Sequence, residues 1–213
     1  ISKYEKIEFK ALPIPKIEYK NVLINFKQSP IELNTNKLTI YPKFYNIYNH
    51  ENFQSNKIAL LENEIILEAV DLKFFIKNLI DQKNKFYFNN LNIEINNKKK
   101  LLAKIKNIKF ANFGHNKNKL EGSIFGKEFK TELNKNFTSI NFRLLNSGIS
   151  FEINFNEKKG ENSTKGTLKS KVLNTHFKSN FSYDEESLNI NNSLFRSKNL
   201  SFNNNSIVIF NPF

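Results

Sequence analysis

The stretch that decides the fold is INFRLLNSGISFEINF, residues 140–155. Apolar and polar side chains alternate from Ile140 to Leu144, Asn146-Ser147-Gly148 supplies residues typical of a turn, and the alternation resumes from Ile149 to Phe155. A period of two places every second side chain on one face of a strand, and residues such as Asn and Gly accept the backbone angles of tight turns. The stretch therefore predicts a β-hairpin with one apolar and one polar face.

The same alternation recurs along the chain. Near Asn21 the parity of the alternation changes, which is how a β-bulge appears in a sequence. A second hairpin is predicted where a strand pattern ending at Tyr183 is followed by polar residues 184–187 and by Leu188 and Ile190. Further strand patterns cover residues 17–26, 38–40, 91–95 and 101–105. We predict a mainly β fold: an elongated, curved antiparallel sheet, shaped as a groove or solenoid, forming a single β-rich region over residues 1–213.

Two short segments have helical spacing instead. Residues 43–49 place Phe44, Ile47 and Tyr48 at i, i+3 and i+4 after a proline. Residues 71–80 carry a longer apolar stripe, and Asp71 is a suitable N-cap residue. One or two short α-helices are therefore predicted near 43–49 and 71–80.

Residues that carry out catalysis are scarce. The chain has no cysteine, and its three histidines are about 60 residues apart, so no metal-ligand spacing is present. Its three aspartates occupy predicted helix ends and a turn, where Asp commonly supports backbone geometry. We predict that the protein is not an enzyme and has no catalytic residues, no cofactor and no metal.

The formal net charge is +13, and nearly all of the positive charge is lysine because Arg143 and Arg196 are the only arginines. Proteins that bind nucleic acids rely on Arg for bidentate contacts to phosphate and guanine, whereas Lys also serves to solvate a surface. We therefore expect no nucleic-acid partner, although a basic nucleic-acid-binding β protein stays an alternative.

The apolar sheet face is the candidate site, since it persists along the chain with no catalytic group beside it. Exposing a sixteen-carbon acyl chain to water costs on the order of 12 kcal/mol, and an apolar groove removes that cost. The expected partner is a phospholipid or another lipid with an acyl chain. The predicted groove residues are Ile24, Phe26, Leu38, Ile40, Ile93, Ile95, Phe142, Leu144, Phe151, Ile153, Phe177 and Phe181.

Four segments resemble the periplasmic part of AsmA-family proteins, including their TamB-like relatives. Residues 12–22, LPIPKIEYKNV, resemble the L-P-x-P segment that begins this part. Residues 36–40, 44–48 and 58–65 resemble the strand, short apolar helix and I-x-L-x-x-x-x-I strand that follow. Residues 197–213 resemble the late β-repeats of the family.

This resemblance implies a Gram-negative envelope protein. The expected function is a non-enzymatic periplasmic segment that shields or conducts phospholipid between membranes and supports outer-membrane assembly and homeostasis. The resemblance also implies an inner-membrane anchor formed by an N-terminal helix that this sequence lacks, so we expect a fragment of a longer chain. The other class of function that stays open is a structural or adhesive β-solenoid.

Overall fold

The structure is a computed structural model. It describes residues 1–26, 31–43, 54–80, 84–98, 100–115, 117–134, 138–156, 163–184 and 186–209. They form a mainly β fold with one short α-helix, as predicted. The chain divides into two compact units, Ile1–Gly126 and Lys127–Phe213.

The first unit is a sheet whose strands pair in chain order. Neighbouring strands are antiparallel except β4 and β5, which are parallel. Parallel neighbours need a crossover connection, and the segment between these two strands contains the helix. The elements are β1 (Lys6–Lys10), β2 (Lys16–Asn25), β3 (Glu32–Pro42), β4 (Ser55–Glu68), a 3₁₀ turn (Ala69–Asp71), α1 (Leu72–Ile80), β5 (Lys85–Asn97), β6 (Lys100–Ala111) and β7 (Lys119–Ile124).

The second unit is a run of antiparallel strands, again paired in chain order. Both predicted hairpins are present: β9 pairs with β10, and β12 pairs with β13. Asn146 and Gly148 take left-handed backbone angles in the first of these turns, with φ of 53° and 70°. The strands are β8 (Lys127–Leu133), β9 (Ser139–Leu144), β10 (Ile149–Asn156), β11 (Thr164–Val172), β12 (Thr175–Tyr183), β13 (Ser187–Arg196) and β14 (Ser201–Ile209).

Helix α1 lies where the sequence predicts a helix. It begins at Leu72, directly after the 3₁₀ turn that contains Asp71. Phe75 is fully buried and Leu79 is partly buried against the core, whereas Ile76, which the stripe includes, is 46% exposed. The helix predicted near 43–49 falls almost entirely on residues outside the described ranges.

A line of backbone irregularities crosses the first sheet. The pairings on either side place Asn21 of β2 opposite Asn36 of β3, Asn36 opposite Glu62 of β4, and Glu62 opposite Asn90 of β5. Asn21, Glu62 and Asn90 have φ of 50°, 53° and 60°. The alternation changes parity at this line, so the apolar side chains before and after it lie on the same face. The parity change near Asn21 is present, but the predicted bulge there is wrong, because β2 and β3 pair one-to-one on both sides of Asn21 and a left-handed residue changes the parity instead.

The core of the first unit lies on this apolar face. The face packs against Phe75, whose ring meets that of Phe26 edge to face with centroids 6.1 Å apart. Burying an aromatic side chain of this size contributes on the order of 2–3 kcal/mol. The buried core residues are Val22, Ile31, Leu33, Leu38, Leu60, Ile65, Leu67, Phe75, Phe86, Phe88, Leu91, Ile93, Ile108 and Phe110.

Candidate functional site

The twelve predicted groove residues separate into two sets. Six belong to the first unit, where Leu38 and Ile93 are buried and Ile24, Phe26, Ile40 and Ile95 pack partly buried against the same core. This set lies on a face that is closed by its own packing and by helix α1. We therefore assign these six residues to the core of the first unit.

The other six lie in the second unit on one face of three strands, and all are half-buried. Phe142 and Leu144 are on β9, Phe151 and Ile153 on β10, and Phe177 and Phe181 on β12. Every regular element among the described residues of this unit is a strand, so no described helix of the same unit packs on the face. We call the surface formed by these six residues together with Ile140, Phe155 and Phe195 the open apolar face.

Aromatic rings meet across strands on the open apolar face. Phe142 lies directly opposite Phe151, and their rings stack at 4.6 Å and 10°. Phe195 of β13 lies opposite Phe177 and stacks on Phe202 of β14 at 4.9 Å. Such pairs stabilise a sheet by about 0.5–1.5 kcal/mol beyond area burial, so the face is held together by its own rings.

Strand β11 contributes only small side chains to the middle of the open apolar face. Ser170 lies between Phe151 and Phe177 in the register, and Gly166 lies between Phe155 and Phe181. A Cβ atom on Gly166 would lie 2.4 Å from the Asn154 carbonyl oxygen and 2.5 Å from the Phe181 ring. Because position 166 carries no side chain, the rings of Phe155 and Phe181 approach to 6.0 Å across β11.

Phe195, Phe202 and Gly166 also contribute to this region, and like Ile140 and Phe155 they were not among the predicted groove residues. Phe195 and Phe202 follow weak alternation in an Asn-rich segment, and β13 contains a bulge at Asn192, whose φ is 50°. That bulge shifts the parity between Ile190 and Phe195, so a strict period of two does not connect them. Gly166 gives no sequence signal, since its role depends on the strands beside it.

The opposite face of each sheet is polar. In the first unit it carries Glu18 of β2, which is 2% exposed and surrounded by the ammonium groups of Lys10, Lys16 and Lys37 at 2.6, 2.8 and 3.1 Å. The hydrogen bond from Lys10, followed by that from Lys16, lowers the pKa of the Glu18 carboxyl from 4.5 to about 2. Because this cluster links β1, β2 and β3, we interpret its role as structural.

A cleft of about 380 Å³ also lies on the polar face of the first unit. Lys57 enters it, and its Nζ lies 5.0 Å from the ring centre of Tyr41, 4.9 Å from that of Tyr87 and 5.4 Å from that of Phe113. Burial raises the pKa of the Tyr87 hydroxyl. The charge of Lys57 is thus satisfied by three aromatic rings, which favours a packing role.

Two other kinds of feature are absent from the described ranges. No group of three or more His, Asp or Glu side chains there could hold a metal ion. Among the same residues, no helix has the length and apolar character needed to cross a membrane.

No family model matches the chain, and neither a curated protein nor a solved structure is significantly similar to it.

Proposed function

We propose that the protein is a non-enzymatic lipid-binding module that shields the acyl chain of a phospholipid, or of another acyl-chain lipid, on the open apolar face. The observation that carries the proposal is the half-buried state of Phe142, Phe151 and Phe177 and their neighbours on a face that no described helix of the same unit covers. Contiguous exposed apolar surfaces on monomeric proteins commonly mark binding sites.

Energetics favour an acyl chain as the occupant. Each CH₂ group moved from water to an apolar surface contributes about 0.8 kcal/mol, and a half-exposed phenyl ring gains as well when it is covered. The row formed by Phe142, Phe151, Ser170, Phe177 and Phe195 crosses strands β9–β13 in register. At about 4.8 Å between strands, this row is about 19 Å long and is apolar except at Ser170, whose small side chain lies in its middle.

The cellular role we propose follows the resemblance to the AsmA family. In that role, the segment belongs to a periplasmic protein anchored in the inner membrane, and it conducts phospholipid in support of the outer membrane. The order of elements supports it, since residues 36–40 lie in β3 and residues 58–65 lie in β4. In β4 the left-handed Glu62 accounts for the five-residue spacing of Leu60 and Ile65, because both then face the core.

Lipid uptake tests the proposed function. The purified chain is expected to carry phospholipid detectable by native mass spectrometry and, once delipidated, to bind a fluorescent fatty acid. Phe151→Glu and Phe177→Glu should each lower this affinity by tenfold or more, since a carboxylate would be placed in the row that binds the acyl chain. Asn180→Glu is the matched control, because Asn180 is an exposed residue of β12 on the polar side of the strand.

Three results would contradict the proposal. The first is delipidated protein that takes up no fatty acid, and the second is equal uptake by all three variants. The third is strong, salt-sensitive binding of an oligonucleotide without lipid binding, which would favour the nucleic-acid alternative. A structural or adhesive role would be favoured by the first result together with unchanged folding of the variants.

A further inference from the structure

The polar face of the second unit carries both arginines of the chain in one cross-strand row. Arg143 of β9 lies opposite Ser150 of β10, and Ser150 lies opposite Lys171 of β11. Lys171 lies opposite His176 of β12, which in turn lies opposite Arg196 of β13. Neighbouring strands are about 4.8 Å apart, so four basic side chains and one hydroxyl are aligned along a line of about 19 Å.

A cleft of about 220 Å³ lies on this row. Arg143, Ser150, Lys171 and His176 line it, and so do Glu152 and Lys169 and the neighbouring Phe142 and Phe151. Lys169 contacts Glu152 with its Nζ 3.6 Å from Oε1, and Asn154 donates a hydrogen bond to the same carboxylate oxygen at 2.7 Å. The carboxylate of this cleft is therefore already engaged by neighbours outside the row.

The basic side chains of the row differ from the lysines that contact Glu18 and Glu94. Lys10, Lys16 and Lys37 share Glu18, and Lys104 pairs with Glu94. By contrast, within the described ranges no carboxylate forms an ion pair with Arg143, Lys171, His176 or Arg196. Basic side chains next to one another on a sheet face oppose folding unless an anion lies between them.

The donor set suits an oxyanion such as phosphate. A guanidinium presents a planar fork of N–H groups that matches two oxygens of a phosphate, and an ammonium adds a compact charge. Between Arg143 and Lys171 the register places only Ser150, whose hydroxyl can donate to a third oxygen. The cleft is too small and too polar for an acyl chain, and the basic row that lines it lies on the opposite side of the sheet from the open apolar face.

We propose that this cleft binds a phosphate group, with Arg143 and Lys171 as its charged donors, the Ser150 hydroxyl between them, and His176 and Arg196 extending the basic row beyond the cleft. The proposal does not require the lipid-binding function. The phosphate can belong to a phospholipid headgroup or to a free phosphate compound, and the two sources are separated by experiment.

Binding is measured on the whole chain with two probes at low salt. Inorganic phosphate is titrated calorimetrically, and sedimentation is followed with phosphatidylcholine vesicles that do or do not contain phosphatidic acid. The double variant Arg143→Gln/Lys171→Gln is expected to weaken binding of at least one probe by more than about tenfold. Lys127→Gln/Lys198→Gln removes the same charge from exposed positions outside the cleft and should change affinity less than about twofold.

Site-dependent binding of inorganic phosphate, with or without vesicle binding, supports a free phosphate compound, and site-dependent binding confined to vesicles with phosphatidic acid supports a headgroup. The proposal is overturned if neither probe binds, if both double variants weaken binding equally, or if only an oligonucleotide binds. Thermal unfolding of each variant controls for folding, and Phe177→Glu, which tests the lipid site at a residue outside the cleft lining, should leave phosphate binding intact.

Discussion

Asparagine has two structural roles in this protein. Along the strands it solvates the polar face, which is the role that its alternation with Ile and Phe predicts. Among the described residues it also supplies six of the ten non-glycine positions with left-handed φ, including Asn21, Asn90, Asn107 and Asn192. Asn tolerates this region better than other side chains, so the Asn-rich composition has a backbone function. Only the parity change near Asn21 was predicted from the sequence, although the odd spacing of Leu60 and Ile65 marks a second change around Glu62.

A substitution at Asn107 tests the backbone role. This exposed residue of β6 has a φ of 55°, and its N–H donates to the Asn92 side chain at 3.0 Å. Asn107→Val should lower the free energy of unfolding by about 1–2 kcal/mol, since a β-branched residue is strained at this angle, and Asn107→Gly should be close to neutral. Urea denaturation measures both. The exposed neighbour Lys106 serves as control, and an equal loss in Lys106→Val would rule out the backbone explanation.

Glu18 predicts a specific pH dependence of stability. Its pKa is lowered from 4.5 to about 2 in the folded protein, so it stabilises the fold fully above pH 4.5, and this contribution is lost as pH falls toward 2. Glu18→Gln should lower the free energy of unfolding by about 1–2 kcal/mol at pH 7 after allowance for its partly exposed lysine partners. The difference from the unsubstituted protein should shrink between pH 4.5 and 2. A difference that is constant with pH would contradict the ion cluster.

At the scale of elements, β11 depends on the absence of a side chain at Gly166. Gly166→Ala should lower the free energy of unfolding by about 1–3 kcal/mol, because the new methyl group would overlap the Asn154 carbonyl and the Phe181 ring. Ser170→Ala on the same face of the strand adds no atom and is the control. Thermal unfolding followed by circular dichroism measures both. If Gly166→Ala is as stable as the control, then Phe155 and Phe181 do not meet across position 166.

Helix α1 closes the core of the first unit through Phe75. Phe75→Ala should lower the free energy of unfolding by about 3–5 kcal/mol, since this side chain is 1% exposed and lies among core residues. On the same helix Ile76 is largely exposed, so Ile76→Ala should cost less than about 1 kcal/mol. Chemical denaturation distinguishes the two. Equal effects would mean that the helix does not pack through Phe75.

The hairpins and the helix over residues 71–80 were predictable because their signals are local, namely alternation, turn residues and a helical stripe. Two features of the elements were not. The parallel pairing of β4 with β5 depends on where the crossover between them returns the chain. The place of Gly166 between two rings depends on β10 and β12, which become its neighbours only in the folded sheet.

At the scale of the whole molecule, the two units have the same alternation of apolar and polar residues but differ in how deeply their apolar residues are buried. Leu38 and Ile93 in the first unit and Phe142 and Phe177 in the second unit are equivalent by sequence pattern. The first pair is buried in a core that includes Phe75 of α1, whereas the second pair is half-exposed. Alternation predicts which residues share a face, but it does not predict whether another element packs on that face. The candidate site could therefore be predicted in outline only, and the structure restricts it to the second unit.

Photo-crosslinking tests the central claim most directly. A fatty acid that carries a diazirine on its acyl chain is bound to the delipidated protein and irradiated, and the modified peptides are identified by mass spectrometry. We predict adducts on β9, β10 and β12, at or next to Phe142, Phe151 and Phe177, and competition by unlabelled phospholipid. Absence of adducts, or adducts confined to the polar face around Arg143 and Lys171, would contradict the account.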